Sequence, residues 1–230
     1  MKTITIGDIH GLSRWKTIDP MKFDKVIFLG DYLDSYIVRD DAIIQNFKEI
    51  IDFRQAWPEK VELLFGNHET SYMYEKYRAS GYRRGIADRA TKLIWDNFHL
   101  FRMAWQHDNF LWTHAGLHQD YFDKKILPKV EKSDANLAAT LQRLFEEGYE
   151  PLFEVGFERG GKRANIGGPL WLDQQLLIHK PLKSYHQIVG HSRVNGILHY
   201  RLSSDLKTSV TLCDCQEYGD GSFYELEIKD

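Results

Sequence analysis

The chain has 230 residues, of which 43% are hydrophobic and 27% charged. That is enough to bury a sizeable core without disulfides, as one globular domain or one domain carrying an insertion. A net charge of -3 and a pI near 6.4 argue against nucleic acid as the main partner, because binding a phosphate backbone usually calls for a basic excess.

Residues 2–7 alternate and then meet Gly7-Asp8, as a first strand should. Val26 to Leu29 is a continuous apolar run, typical of a strand covered on both faces. Ile43, Ile44, Phe47, Ile50 and Ile51 follow helical spacing, and Pro58 closes that helix. Val61 to Phe65 makes the next strand. Strand, connection, strand, helix, strand is an α/β signature, and such sheets gather ligands at the carboxyl ends of their strands. A second helical region begins near Thr70, breaks around Gly81 and Gly85, and resumes over Ala90 to Phe101. Arg102 to Gln106 and Phe110 to Thr113 flank His107-Asp108-Asn109 and read as a hairpin.

Residues 117–187 differ in character. Tyr121 to Glu147 looks mostly helical, and Gly156 to Gly168 is a Gly-rich basic loop. The stretch reads as an insertion over a site within a single domain spanning 1–230, because Ile188-Val189 then forms a short strand ending in Gly190-His191. Three tail strands follow, Ile197 to Leu202, Val210 to Cys213 and Phe223 to Ile228, and their succession favours an antiparallel second sheet. Cys213 and Cys215 stand two apart on a strand, share a face and are poorly placed to bridge. They read as small core residues of a protein in a reducing compartment. Without an apolar leader or a run of ~18 apolar residues, the expected location is cytoplasmic, with no membrane partner.

Five segments carry Asp, His and Asn at the ends of apolar runs: Gly7-Asp8-Ile9-His10-Gly11, Gly30-Asp31-Tyr32-Leu33-Asp34, Gly66-Asn67-His68-Glu69, Thr113-His114-Ala115-Gly116 and Gly190-His191-Ser192. A Gly-Asp pair alone is an ordinary turn signal. Five such ends, all rich in imidazole, carboxylate and amide oxygen, describe one site, and the site most easily built from these donors without Cys holds two divalent cations. Asp8 and His10, two apart on an extended strand end, clamp one ion together with Asp31. The second oxygen of Asp31 bridges to another ion, whose shell is completed by Asn67, His114 and His191. These donors permit manganese, iron or zinc, and manganese is the expected ion.

The set GDIHG, GDYLD, GNHE, THAG and VGHS resembles the motifs of the calcineurin-like metallophosphoesterases. It is most similar to the branch holding serine/threonine protein phosphatases and symmetrical diadenosine-tetraphosphate hydrolases. The resemblance spans residues 2 to about 192. It implies a four-layer α/β/β/α sandwich and hydrolysis of a phosphoester by in-line attack of a metal-bridging hydroxide. It further implies that His68 is the general acid, oriented by Asp34. Many members end the last motif Gly-His-x-His; here Gly190-His191-Ser192-Arg193 lacks the second His, as is usual in the protein-phosphatase branch, which leaves the first ion three protein ligands.

Two departures concern the substrate. The branch follows GDxxD with Arg-Gly and places an Arg before GNHE, where this chain has Ser35-Tyr36 and Phe65. Both absent arginines contact phosphate in that family. Arg159 and Arg163 in the Gly-rich loop are the candidate replacements, with Arg39, Arg83, Arg84 and Arg193 behind them. A phosphorylated substrate is therefore expected, either a phosphoprotein as in serine/threonine phosphatases, a dinucleoside polyphosphate or a small phosphomonoester. A catalytically inactive interaction module is the alternative from another class, and the full ligand and acid set weighs against it. Tyr72, Tyr74, Tyr77 and Tyr82 either line the mouth of the site, where a nucleobase would stack, or serve helix packing.

Overall fold

A computed structural model describes residues 1–203 and 207–229. The fold is mixed α/β, with two five-stranded sheets among the described residues. The chain divides into two compact units, one built from Met1–Arg102, Arg193–Ile197 and the stretch from Cys213 onward, the other from Met103–Ser192 and Leu198–Leu212.

The first unit is built on β1 (Lys2–Ile6), β2 (Lys25–Phe28), β3 (Val61–Leu64) and β4 (Phe101–Arg102). These run parallel, with Ile4 opposite Val26, Val26 opposite Val61 and Leu63 opposite Phe101. Val26, Ile27 and Phe28 are wholly buried, as expected for a strand with both faces covered. Helix α1 (Asp40–Ala56) carries Asp40 and Asp41 in its first turn, where the helix dipole favours negative charge, and it stops two residues before Pro58. Its buried stripe is Ile43, Ile44, Phe47, Ile50 and Ile51, and Phe47 stacks on Tyr32 at 5.3 Å. Each such side chain contributes about 1.5–3 kcal/mol of burial. Helices α2 (Asn67–Met73) and α3 (Ala87–Asp96) follow β3.

The second unit begins with the expected hairpin. β5 (Ala104–His107) and β6 (Phe110–Thr113) pair antiparallel, and Asp108 turns between them at φ 49°. β7 (His186–Arg193) lies parallel to β6, and β8 (Leu198–Arg201) lies antiparallel to β9 (Ser209–Asp214). Between β6 and β7 come a single turn, α4 (Gln119–Tyr121), further short helical turns to Lys129, then α5 (Leu137–Glu146) and α6 (Gln174–His179). Among the described residues no helix is long and apolar enough to cross a membrane.

Four local expectations need correction. Phe101 belongs to β4 rather than a helix, because it pairs with Leu63 and stacks on Phe65 at 5.0 Å. Arg102 belongs to β4 and not to the hairpin. The last strand, β10 (Tyr224–Glu227), joins the first sheet antiparallel to β1, with Lys2 opposite Glu227, and the second sheet is mixed because β6 and β7 are parallel. Alternation marks a strand but carries no information about which edge it will pair with. Finally, β7 does not end at Gly190-His191 but continues to Arg193, with His191 at φ 61° inside it.

Candidate metal centre

Parallel pairing brings the carboxyl ends of β1, β2 and β3 side by side, and the first three motifs leave from those ends. Their loops are tied together by backbone hydrogen bonds: the N–H groups of Ile9 and His10 both donate to Asp31 O, at 3.0 and 2.7 Å. Two glycines make this approach possible. Gly30 has φ 106°, and a Cβ there would lie 2.5 Å from Gly66 N; a Cβ on Gly66 would lie 2.1 Å from Asp31 Oδ1. Six non-glycine residues have positive φ among those described, and four of them are His10, Asp31, Asp34 and His191. Left-handed backbone costs of order 1–3 kcal/mol per residue and clusters where side-chain aim is under functional constraint.

The side chains converge accordingly. His10 Nδ1 lies 3.0 Å from Leu33 O and 2.6 Å from Asp34 O, so that nitrogen carries the proton and Nε2 is the atom that could ligate a metal. His10 Nε2 stands 4.0 Å from Asp31 Oδ2, and His68 Nε2 stands 3.9 Å from the same oxygen. One ligand atom from each of His10, Asp31 and His68 falls within 4.8 Å of the others, a spacing that suits a cation. His68 Nδ1 is 2.9 Å from Asp34 Oδ2, and His68 N–H donates to Asp31 Oδ1 at 3.0 Å. Burial alone would lower the His68 pKa, but the charges of Asp31 and Asp34, the Asp34 hydrogen bond and the charge of Glu69 outweigh it and raise it to about 9. The carboxylates around it thus favour the charged form of the imidazole. Asp8 and Asn67 are both buried, Asp8 just beyond β1 and Asn67 at the first position of α2.

The sequence reading missed the roles of three residues of this region. Glu69 accepts hydrogen bonds from the N–H groups of Asp31, Tyr32, Leu33 and Gly66, at 2.9, 2.9, 3.3 and 3.0 Å, and so pins the second motif to the third. Tyr72 donates its hydroxyl proton to Asp34 Oδ1. Asp214, at the end of β9, is hydrogen-bonded to Asp8, and burial together with the charge of Asp31 outweighs the pull of His10 and pushes it up to about 6. Glu69 carried a signal in its place three residues after Gly66. Tyr72 carried one in its i+4 spacing from His68. Asp214 carried none.

The donor chemistry fits a metal. Asp8, Asp31, Asp34, Asp214 and Glu69 are all buried, His10 and His68 both face Asp31, and His68 also faces Asp34. Buried carboxylates at such density are costly without compensating charge, which divalent cations supply through these donors.

In the second unit, His114 follows β6 and is wholly buried. Its Nε2 lies 3.2 Å from His191 Nδ1, and Gly190 N donates to His114 O at 2.8 Å. Trp171 stands edge-on to the His191 ring at 5.7 Å. Arg159 pairs with Asp173 Oδ2 at 3.1 Å and donates to Ser192 Oγ at 2.5 Å, one residue from His191. Arg163 is exposed.

These features match a known class. The model of the calcineurin-like phosphoesterases matches residues 1–201, and the chain belongs to that family, whose class is the phosphoric ester hydrolases. The catalytic subunit of serine/threonine-protein phosphatase 4 from Eremothecium gossypii is 29% identical over 76 residues, which cover 31% of this chain and 23% of that relative's length. The crystal structure of a cold-active protein-tyrosine phosphatase from a psychrophilic Shewanella species superposes with a TM-score of 0.60 at 18% identity, over 98% of this chain and 75% of that one. A 1.1 Å structure of a cold-active protein tyrosine phosphatase gives 0.61 at 18% identity, over 98% and 73%. At this identity the two structures speak to the fold.

Proposed function

We propose that this protein is a dinuclear-metal-dependent phosphoesterase of the serine/threonine protein phosphatase type, using manganese or a related divalent ion. The observation that carries the reading is the His68–Asp34 pair, 2.9 Å apart, with His68 Nε2 facing the oxygen of Asp31 that also faces His10. In this reading His10, Asp8 and Asp31 hold one ion, and Asp31, Asn67, His114 and His191 hold the other. The second assignment rests on the motif set. When bound, such ions lower the pKa of water and offset charge on phosphate oxygens.

The chain's own groups do the rest. His68, protonated at Nε2, delivers that proton to the departing ester oxygen. Asp34 fixes the tautomer and the plane of the ring through Nδ1, as a carboxylate does for a catalytic imidazole. The His10 ring is pinned by two backbone carbonyls, so it needs no reorganisation to bind. Arg159, held at Ser192 and Asp173, is the better placed of the two candidate phosphate-binding arginines, since its partner Ser192 adjoins His191.

The test is hydrolysis of a mixed panel by protein purified without chelator, with and without added manganese. The panel holds nitrophenyl phosphate, phosphoserine and phosphotyrosine peptides, and diadenosine tetraphosphate. Turnover of a phosphopeptide that is lost with chelator supports the reading. Preference for diadenosine tetraphosphate or a small monoester moves it to those substrates. No turnover by fully metal-loaded protein favours the interaction module.

A further inference from the structure

The His68–Asp34 pair has a third member. Tyr72 lies one helical turn beyond His68 on α2, so both side chains leave the same face of the helix. Its hydroxyl donates to Asp34 Oδ1, while the other carboxylate oxygen, Oδ2, meets His68 Nδ1 at 2.9 Å. The direction of that phenolic proton is set from behind: the backbone N–H of Arg83 donates to Tyr72 Oη at 3.1 Å, which occupies an oxygen lone pair and leaves the hydroxyl hydrogen for Asp34. Tyr72 is 5% exposed, its ring lies against that of Tyr82 at 4.8 Å, and its backbone carbonyl accepts from Thr91 Oγ1 at 2.8 Å. Burial first, then the charge of Asp34, pushes the phenol far above its ordinary range, so it remains a donor.

Asp34 sits at φ 58°, a backbone setting that does not by itself hold the carboxylate in one rotation. Its two oxygens are instead gripped from opposite sides, one by Tyr72 and one by His68. We propose that Tyr72 is a positioning residue for proton delivery: it locks the Asp34 carboxylate so that the His68 ring is presented in one orientation to the leaving oxygen. The inference rests on the reading of His68 as the general acid. It explains why this one of the four tyrosines in 72–82 is buried with its hydroxyl turned inward. Tyr74, Tyr77 and Tyr82 are each at least partly exposed.

The test is a double-mutant cycle of Tyr72→Phe and His68→Asn on manganese-loaded enzyme, read with an alkyl phosphate and with nitrophenyl phosphate. Phenylalanine keeps the ring packing and removes only the hydroxyl. The expected result is a roughly tenfold loss of kcat on the alkyl ester, the order of one charge-assisted hydrogen bond. The loss should be much smaller on nitrophenyl phosphate, KM should be unchanged, and His68→Asn should lose nothing further when Tyr72→Phe is added. An equal loss on both esters, the same loss in the His68→Asn background, or no loss at all would overturn the proposal. If Tyr72→Phe folds poorly by thermal melting, 3-fluorotyrosine at position 72 replaces it, keeping the hydroxyl while making it a stronger donor. That change must alter the alkyl-to-aryl rate ratio in otherwise native enzyme and leave it alone in His68→Asn. If His68→Asn by itself shows no dependence on leaving group, the reading of His68 fails, and that failure is distinct from the failure of Tyr72.

Discussion

Asp34 holds two histidines with two different groups: its backbone carbonyl accepts from His10 Nδ1 at 2.6 Å, and its carboxylate meets His68 Nδ1 at 2.9 Å. One residue therefore sets the aim of the proposed ligand imidazole and of the proposed acid. The first role belongs to the backbone and survives side-chain substitution; the second does not.

Replacing His68 by Asn should keep the metal and lower turnover of alkyl phosphates by about 10²- to 10⁴-fold. The deficit should shrink for nitrophenyl esters, whose leaving group needs little protonation. Metal analysis beside the kinetics decides the matter. If metal content collapses instead, His68 is a ligand, as its 3.9 Å approach to Asp31 also allows, and not the acid.

Asp31→Asn removes the carboxylate faced by both His10 and His68. It should abolish tight binding of both ions, measured by elemental analysis after gel filtration. Two ions retained at native affinity would refute a bridging Asp31.

Gly66→Ala tests the cradle around Asp31. The added Cβ would sit 2.1 Å from Asp31 Oδ1 and 2.4 Å from Asp31 N, so the second motif must move. We expect a loss of about 1–3 kcal/mol in urea unfolding, together with weakened metal binding. Unchanged affinity for manganese would show that the close approach of these two loops does not position the carboxylate.

Stability should fall on the acid side for reasons apart from the site. Burial lowers the pKa of His118, more than the neighbouring Asp120 raises it, and burial likewise lowers those of His186 and His199. A folded-state pKa below the unfolded value of about 6.5 means that the native chain resists protonation. Stability is then full above pH about 6.5 and declines as pH falls through that value toward the folded pKa values. His118 also caps α4, its Nδ1 accepting from Asp120 N at 3.1 Å, and only the neutral ring can do so. His118→Asn keeps a capping acceptor without a titrating group. Its urea midpoint should decline less between pH 7 and 5 than that of the native chain, and an identical decline would remove His118 from the account.

The sequence by itself determined the family, the mixed α/β character, the strand ends that carry Asp8, His10, Asp31, Asn67 and His114, and the pairing of Asp34 with His68. These are legible because apolar runs and Gly-Asp or Gly-Asn turns are local patterns, and because ordered motifs survive when the remaining sequence drifts. Phe101 misled because a helical period continued by chance into a residue that the sheet claims. The edge taken by β10, the parallel pairing of β6 with β7 and the burial of Asp214 beside Asp8 belong to the tertiary structure alone. Strand pairing and carboxylate clustering depend on which backbones meet in space, and no short-range pattern encodes that. Tyr72 stands between the two cases: its i+4 spacing from His68 was visible, but that its hydroxyl reaches Asp34, 38 residues earlier in the chain, was decided only when β2 and α2 folded together.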